Sequence, residues 1–328
     1  MSSIAPHLED KSTPTISTRL AVLCKAVAEP LRLDILRVLS NDSFGVQELA
    51  SIFSMPQPGM SHHLKVLAKS GLLVTRRQGN SIFYRRALLK QDSEFYDFQA
   101  SLFQTISELP LPEAYLERIQ CVHADRAAQS RLYFERNVDK FEENQEMLCE
   151  LKQYLPNIKE ILDLLPLSRQ SQVMEVGPGQ GELLKELGRR FEYLVAMDNS
   201  EEMLSFTQKR LGFKQDIRFI QASLEEFEAD MERFDLIVLN MVLHHMSSPL
   251  QAFQKLRSLL RDDGFLLIAD LCSHNQEWTK ELCGDLWLGF DSLDLKEWAS
   301  HAGFIEEQSL YLGLKNGFQI QLKLFRLG

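Results

Sequence analysis

The run Val173-Met174-Glu175-Val176-Gly177-Pro178-Gly179-Gln180-Gly181-Glu182 carries the residue types of a ligand-binding turn: a short apolar stretch, alternate glycines, then a helix-forming segment. Glycine at 177, 179 and 181 lets the backbone turn tightly and approach a ligand with no Cβ in the way. Asp198 ends the next apolar run, 21 positions after Gly177. An α/β nucleotide fold sets a carboxylate on ribose hydroxyls at about that distance. The chemistry on offer is therefore capture of a nucleotide-like ligand by a glycine cradle and one acid; the competing reading is a tight turn with no ligand. A dinucleotide fingerprint would need its third glycine at 182, where this chain has Glu182.

Alternating strand and helix patterns after residue 150 must position these groups, and alternation of that kind implies a mainly parallel sheet. Strands are expected at 217–221, 234–240 and 264–270, helices at 201–211 and 250–260, and a closing antiparallel hairpin within 311–324. With its E-x-G-x-G-x-G turn, this part of the chain resembles the class I S-adenosylmethionine-dependent methyltransferases. The resemblance implies a Rossmann-like α/β domain that takes S-adenosylmethionine or S-adenosylhomocysteine. It places Glu175, Gly177, Gly179 and Gly181 at the methionine moiety and Asp198 on the ribose. Asn199 and Met203 would border the adenine. Ser223 stands where the family has an aspartate for the adenine amino group, and Asn240 lies beside the reactive methyl. His244 is the candidate base, needed only if the acceptor must lose a proton; the alternative is that it lines the pocket. The arsenite-methylating relatives need several converging cysteines, and Cys272 and Cys283 have no third partner in sequence.

A second constellation is electrostatic. Residues 56–90 contain seven Lys or Arg and no acid, in a chain of net charge −10. Residues 16–108 hold 11 basic against 8 acidic side chains, and residues 109–328 hold 24 against 36. A local basic face on an acidic protein points to a polyanion. Met60, Leu64 and Leu67 mark a buried helical stripe, which sets Pro58, His62, Lys65 and Lys69 on the opposite face. The β-like runs 72–77 and 81–86 around Gln78-Gly79-Asn80 form a hairpin.

Helices at 18–28, 31–40 and 46–53 precede this pair, which makes a mainly α winged helix-turn-helix. Ala28-Glu29-Pro30-Leu31-Arg32-Leu33, Gln47-Glu48-Leu49-Ala50 and Met60-Ser61-His62-His63-Leu64-Lys65 resemble the ArsR-type bacterial repressors over residues 18–90. That resemblance implies operator DNA read by the helix 57–70, through Gln57, Ser61, His62 and Lys65. It also implies phosphate contacts from the wing, here Arg76 and Arg77, and a homodimer formed through the first and last helices. The cysteine pair of the arsenic-sensing members is absent: Glu48 to Phe53 stand at that site. His62 and His63 point about 100° apart on a helix and do not easily share an ion, so no metal site is expected.

Domain boundaries follow: a disordered lead at 1–15, the DNA-binding domain at 16–108, a helical connector at 109–155 and the methyltransferase domain at 156–328. From 113 to 155 there is neither Gly nor Pro, the composition of a helix with a possible break near Asn137. Five scattered cysteines without a C-x-x-C pair argue against disulfides and structural zinc. No membrane-length apolar run or signal h-region is present, so a cytoplasmic protein is expected. Two functions remain open. One is a transcription regulator that senses the cofactor; the other is a small-molecule methyltransferase with an autoregulatory DNA-binding domain. The segment 273–291, with Trp278, Trp287 and Phe290, either walls an acceptor pocket or packs as an insert.

Overall fold

The computed structural model describes residues 15–40, 42–89, 91–212, 217–228 and 233–328. All of the expected lead except Thr15 lies outside them. By internal contacts the chain forms two compact units, residues 15–76 with 82–116, and residues 77–81 with 117–328.

The first unit opens with α1 (Ile16–Val27) and α2 (Pro30–Val38), the second entered through Pro30, whose fixed φ suits a first helical turn. Arg32 closes the end of α1 by donating to the carbonyls of Ala26 and Lys25, 2.5 and 2.8 Å away. The short strand β1 (Phe44–Gly45) leads into α3 (Val46–Ile52), where Glu48 reaches back to accept from the Gly45 amide at 2.6 Å. After α4 (Gln57–Lys69) come β2 (Leu73–Gln78) and β3 (Ser81–Arg86), which join β1 in a sheet of order β1-β3-β2. Met60, Leu64 and Leu67 are fully buried with Ile35, Leu36 and Leu49, as the helical spacing requires. Arg86 is bound at the foot of the wing. It donates to the Ser107 hydroxyl on α5 (Tyr96–Ser107) at 2.8 Å and lies 4.3 Å over the Phe103 ring.

Helix α6 (Glu113–Asn137) starts in the first unit, where Tyr115 packs on Phe53 with ring centroids 4.7 Å apart, and continues into the second. A 3-10 turn at Val138–Lys140 separates it from α7 (Phe141–Leu148). Both are part of the second unit beyond Leu116, together with α8 (Leu155–Leu164).

The sheet of the second unit comprises β4 (Gln172–Val176), β5 (Tyr193–Asp198), β6 (Ile217–Gln221), β7 (Phe234–Asn240), β8 (Leu260–Leu271), β9 (Phe304–Gly313) and β10 (Gln319–Leu327). Their spatial order is β6-β5-β4-β7-β8-β10-β9, parallel from β6 to β8, with β10 antiparallel to both of its neighbours. Crossovers run through α9 (Glu182–Arg190), α10 (Glu201–Leu211) and α11 (Pro249–Leu259), with α12 (Trp278–Leu282) and α13 (Ser292–His301) before β9. Val173, Leu236, Val238, Leu267 and Ala269 are buried on these central strands, as a sheet covered on both faces demands. The turn of strand order between β4 and β7 is where such sheets open a ligand crevice. No helix among the described residues is long and apolar enough to cross a membrane.

Candidate cofactor cleft and nucleic-acid interface

At the carboxyl end of β4 the chain makes three left-handed residues, Gly177, Gly179 and Gly181, with φ of +64°, +51° and +75°. Space is as restrictive as conformation. A Cβ on Gly177 would lie 2.4 Å from Cγ2 of Val242, and one on Gly179 would lie 3.2 Å from the Phe141 ring. The Thr207 hydroxyl donates to the Gly179 carbonyl at 2.7 Å and ties the loop to α10. Gly181 serves as the N-cap of α9 rather than as cleft lining.

An open cleft of about 800 Å³ lies over this loop. Gly177, Gly179, Asp198, Asn199, Met203 and Ser223 all line it, so six of the residues expected at the cofactor come together. Burial pushes the Asp198 carboxyl up to about 6, against the lowering effect of the Ser200 and Asn199 amides. The Ser200 amide donates to it at 2.9 Å. The Ser223 hydroxyl is already engaged, donating to Glu226 at 3.0 Å and accepting from the Glu226 amide at 3.2 Å. Two residues on, Glu225 brings a carboxylate to the same wall, a residue the sequence reading passes over.

A second cavity of about 710 Å³ shares Phe141, Gly177, Gly179 and Met241 with the first and contains Asn240 and Tyr154. Asn240 accepts at Oδ1 from the Tyr154 hydroxyl, 2.9 Å away. The following residue, Met241, is held at φ +54°, a conformation that costs a non-glycine residue about 1–3 kcal/mol and tends to mark functional sites. Glu175 is fully buried, neither carboxylate oxygen has a hydrogen-bond partner among the described residues, and burial raises its pKa well above the ordinary range.

His244 lines neither cavity. It sits fully buried in a 3-10 turn (Leu243–His245), with Nδ1 2.7 Å from Asp270 and Nε2 3.6 Å from Asp285. Burial lowers its pKa, but the Asp270 and Asp285 carboxylates outweigh it and raise the group to about 9. A base must reach the proton that it removes, and this imidazole has no face on the cleft. The neighbouring His245 does line the cleft.

Within the 273–291 segment, Trp278, Trp287 and Phe290 line neither of these two cavities. Trp287 is buried and donates to the Met246 carbonyl at 2.8 Å, Phe290 is buried against Trp298, and Trp278 meets Phe318 edge-on. The cleft's remaining wall comes from Ala127, Ser130 and Phe134 of α6 and Phe141 of α7, from the stretch that sequence reading treats as a connector. Arg126 anchors α6 there, donating to the Ser247 carbonyl at 2.9 Å with its guanidinium 5.0 Å from the Trp287 ring.

In the first unit, α4 presents Gln57, His62 and Lys65 exposed and Ser61 half-buried, with Met60, Leu64 and Leu67 inward. His63 turns toward α2, its Nδ1 3.4 Å from Glu29. On the hairpin Arg76 is half-buried and Arg77 is exposed, with Nε donating to the Gly79 carbonyl at 2.9 Å.

This architecture is a winged helix-turn-helix together with a Rossmann-like methyltransferase fold. Residues 27–76 match the family described as "Helix-turn-helix domain", and residues 174–268 match "Methyltransferase domain". The biofilm growth-associated repressor of Xylella fastidiosa (strain Temecula1) is 35% identical over 80 residues, 24% of this chain and 70% of that protein. That of Agrobacterium fabrum (strain C58) is 39% identical over 71 residues, 22% of this chain and 61% of its own length, so the chain spans less than two thirds of that relative. The crystal structure of magnesium protoporphyrin IX methyltransferase from Synechocystis PCC 6803 with bound SAH superposes with a TM-score of 0.51 at 15% identity, covering 62% of this chain and all of that one. The chain belongs to the ArsR-type winged helix-turn-helix regulators and carries a class I methyltransferase domain in the same polypeptide.

Proposed function

We propose that the protein is a DNA-binding transcription regulator whose methyltransferase domain binds S-adenosylmethionine or S-adenosylhomocysteine, and that cofactor state sets operator affinity. The observation that carries this reading is a single helix. α6 has Tyr115 seated on Phe53 in the DNA-binding unit, and further along it supplies Ala127, Ser130 and Phe134 to the cleft. A ligand that contacts those three side chains acts on the same element that begins in the other unit.

The cleft residues fit the cofactor. The glycine loop leaves a cradle without Cβ atoms, and Asp198, held by the Ser200 and Asn199 amides, lines the cleft with acceptor capacity left for two ribose hydroxyls. Asn199 and Met203 border the adenine, Gly177 and Gly179 hold the methionine end with Gly181 and the buried Glu175 shaping the loop beneath it, and Asn240 stands at the acceptor side. When bound, S-adenosylmethionine supplies an electrophilic methyl group. This chain's residues then align donor and acceptor, which is the main contribution that an in-line displacement needs. Ser223, committed to Glu226, is a weak acceptor for the adenine amino group.

On the DNA side, Gln57, Ser61, His62 and Lys65 enter the major groove and Arg76 and Arg77 hold phosphates, in a homodimer of the full chain. The exposed apolar side chains of α1 and α5, Ile16, Leu20, Val22 and Phe98, favour such a dimer. The deciding experiment measures operator affinity with no cofactor, with S-adenosylmethionine and with S-adenosylhomocysteine. A difference of about 5- to 150-fold is expected between states. Equal affinities would leave the second reading, a small-molecule methyltransferase with an autoregulatory DNA-binding domain.

A further inference from the structure

We propose that His244, His245 and Asp285 hold one divalent transition-metal ion, of the zinc type, beside the cofactor cleft. Their ligand atoms all lie within 4.8 Å of one another, and all three residues are buried. The partners of each ring fix its tautomer. His244 Nδ1 faces the Asp270 carboxylate at 2.7 Å, and His245 Nδ1 faces the Gly284 carbonyl at 3.1 Å. The Gly284 carbonyl can only accept, and the Asp270 carboxylate already accepts from the His244 and Leu271 amides, so each Nδ1 is the donor and Nε2 is the nitrogen left on each ring for an ion, which would displace the proton that the two carboxylates favour on His244. This is the arrangement of metal-binding histidines, whose second nitrogen is held by a carboxylate or carbonyl.

The other ends of these side chains are buried and short of partners. Among the described residues, Nε2 of His244 and Nε2 of His245 are buried without a hydrogen-bond partner, and the buried Asp285 carboxyl has only the Thr279 hydroxyl nearby. That hydroxyl is shared with the Gln276 carbonyl at 3.1 Å, so it satisfies the carboxylate only in part. Two unpaired imidazole nitrogens beside an under-satisfied buried carboxylate are costly, and a single cation satisfies the set. A proton on His244 does less: it addresses only Asp285, at 3.6 Å, too far for a good hydrogen bond, and leaves His245 Nε2 orphaned. Donors about 2.0–2.2 Å from a four-coordinate ion stand roughly 3.4 Å apart, so the His244–Asp285 pair is already spaced for one. Adjacent histidines on an α-helix diverge, but in this 3-10 turn the two rings lie 4.0 Å apart. Three protein donors leave a position for water or an acceptor oxygen, the pattern of reactive rather than purely structural zinc sites. His245, which lines the cleft, connects the ion to it.

The test uses the full chain, stripped with chelator and titrated with Zn²⁺ and with Co²⁺, with metal content read after dialysis. About one ion per chain is expected, with cobalt giving the intense visible absorption of a four- or five-coordinate site. His245→Gln and Asp285→Asn should each abolish stoichiometric uptake, Asp270→Asn should weaken it about 10- to 100-fold, and His63→Gln should leave it intact. A folded chain that takes up no ion, or uptake unchanged in the His245 and Asp285 variants, overturns the proposal. Where a variant does not fold, X-ray absorption of the zinc-loaded wild-type chain decides: imidazole and carboxylate donors support the site, and a sulfur shell overturns it.

Discussion

The Tyr154 hydroxyl donates to Oδ1 of Asn240 at 2.9 Å, across 86 positions of sequence, and thereby sets the orientation of the amide at the end of β7. With one lone pair of Oδ1 taken, the two amide N–H groups and one remaining lone pair are the parts of Asn240 left for a ligand. Tyr154→Phe removes the orienting donor without opening a cavity. It should lower turnover or ligand affinity about fivefold to tenfold, the scale of one neutral hydrogen bond of about 1 kcal/mol, while cofactor affinity stays within twofold. Calorimetry with cofactor alone separates the two, and a variant that loses both would place Asn240 on the cofactor instead.

Asp198 gives a pH signature. Burial raises the carboxyl to about 6, and hydroxyl donors prefer its ionised form, so ligand binding must release a proton near that pH. Cofactor affinity should therefore be constant above about pH 7 and fall below about pH 6, by at most tenfold per pH unit for one group. Asp198→Asn should flatten the profile, and Asp198→Ala should cost roughly 1.5–3 kcal/mol of binding. Titrations showing a flat wild-type profile would remove the acid from the ribose.

Gly177 combines two demands, a φ of +64° and Val242 Cγ2 at 2.4 Å from any added Cβ. Gly177→Ala should destabilise the second unit by about 1–3 kcal/mol and abolish cofactor binding. Adding Val242→Ala should recover the steric part of that loss and leave the part due to φ. A thermal melt of the double variant no better than the single one would show that conformation alone sets the requirement.

The wing is tested by salt. Replacing Arg76 and Arg77 with alanine should weaken binding to all DNA sequences and reduce the slope of log K against log salt by about 2, since each lost phosphate contact releases about one counterion fewer. His62→Ala should instead change which operator bases are preferred. An unchanged salt slope in the double variant would move the phosphate contacts elsewhere.

The helical stripe Met60, Leu64, Leu67 was legible because burial follows the 3.6-residue period, and the glycine loop was legible because its backbone tolerates little else. The connector's role was not. Ala127, Ser130 and Phe134 reach the cleft from a helix about 40–50 positions before the glycine loop, and nothing local in α6 marks them as lining. The His244–His245–Asp285 cluster is hidden for the same reason: Asp285 arrives from 40 residues downstream, and only the fold brings it in. Composition leaves Trp287 and Phe290 open as pocket wall or packing insert, and their hydrogen bonds and ring contacts bury them as packing.

Strand order has a consequence for synthesis on the ribosome. β10, the latest strand in the chain, occupies an interior slot between β8 and β9. Until it emerges, β8 presents an open hydrogen-bonding edge rich in Leu, Ile and Phe, and the nascent second unit can hold only its parallel part, β6 to β8. An exposed apolar edge invites pairing with other chains. Ile320, Leu322 and Phe325 therefore act as a late-arriving wedge, and translation pauses within residues 272–318 should raise demand for chaperones that cover that edge.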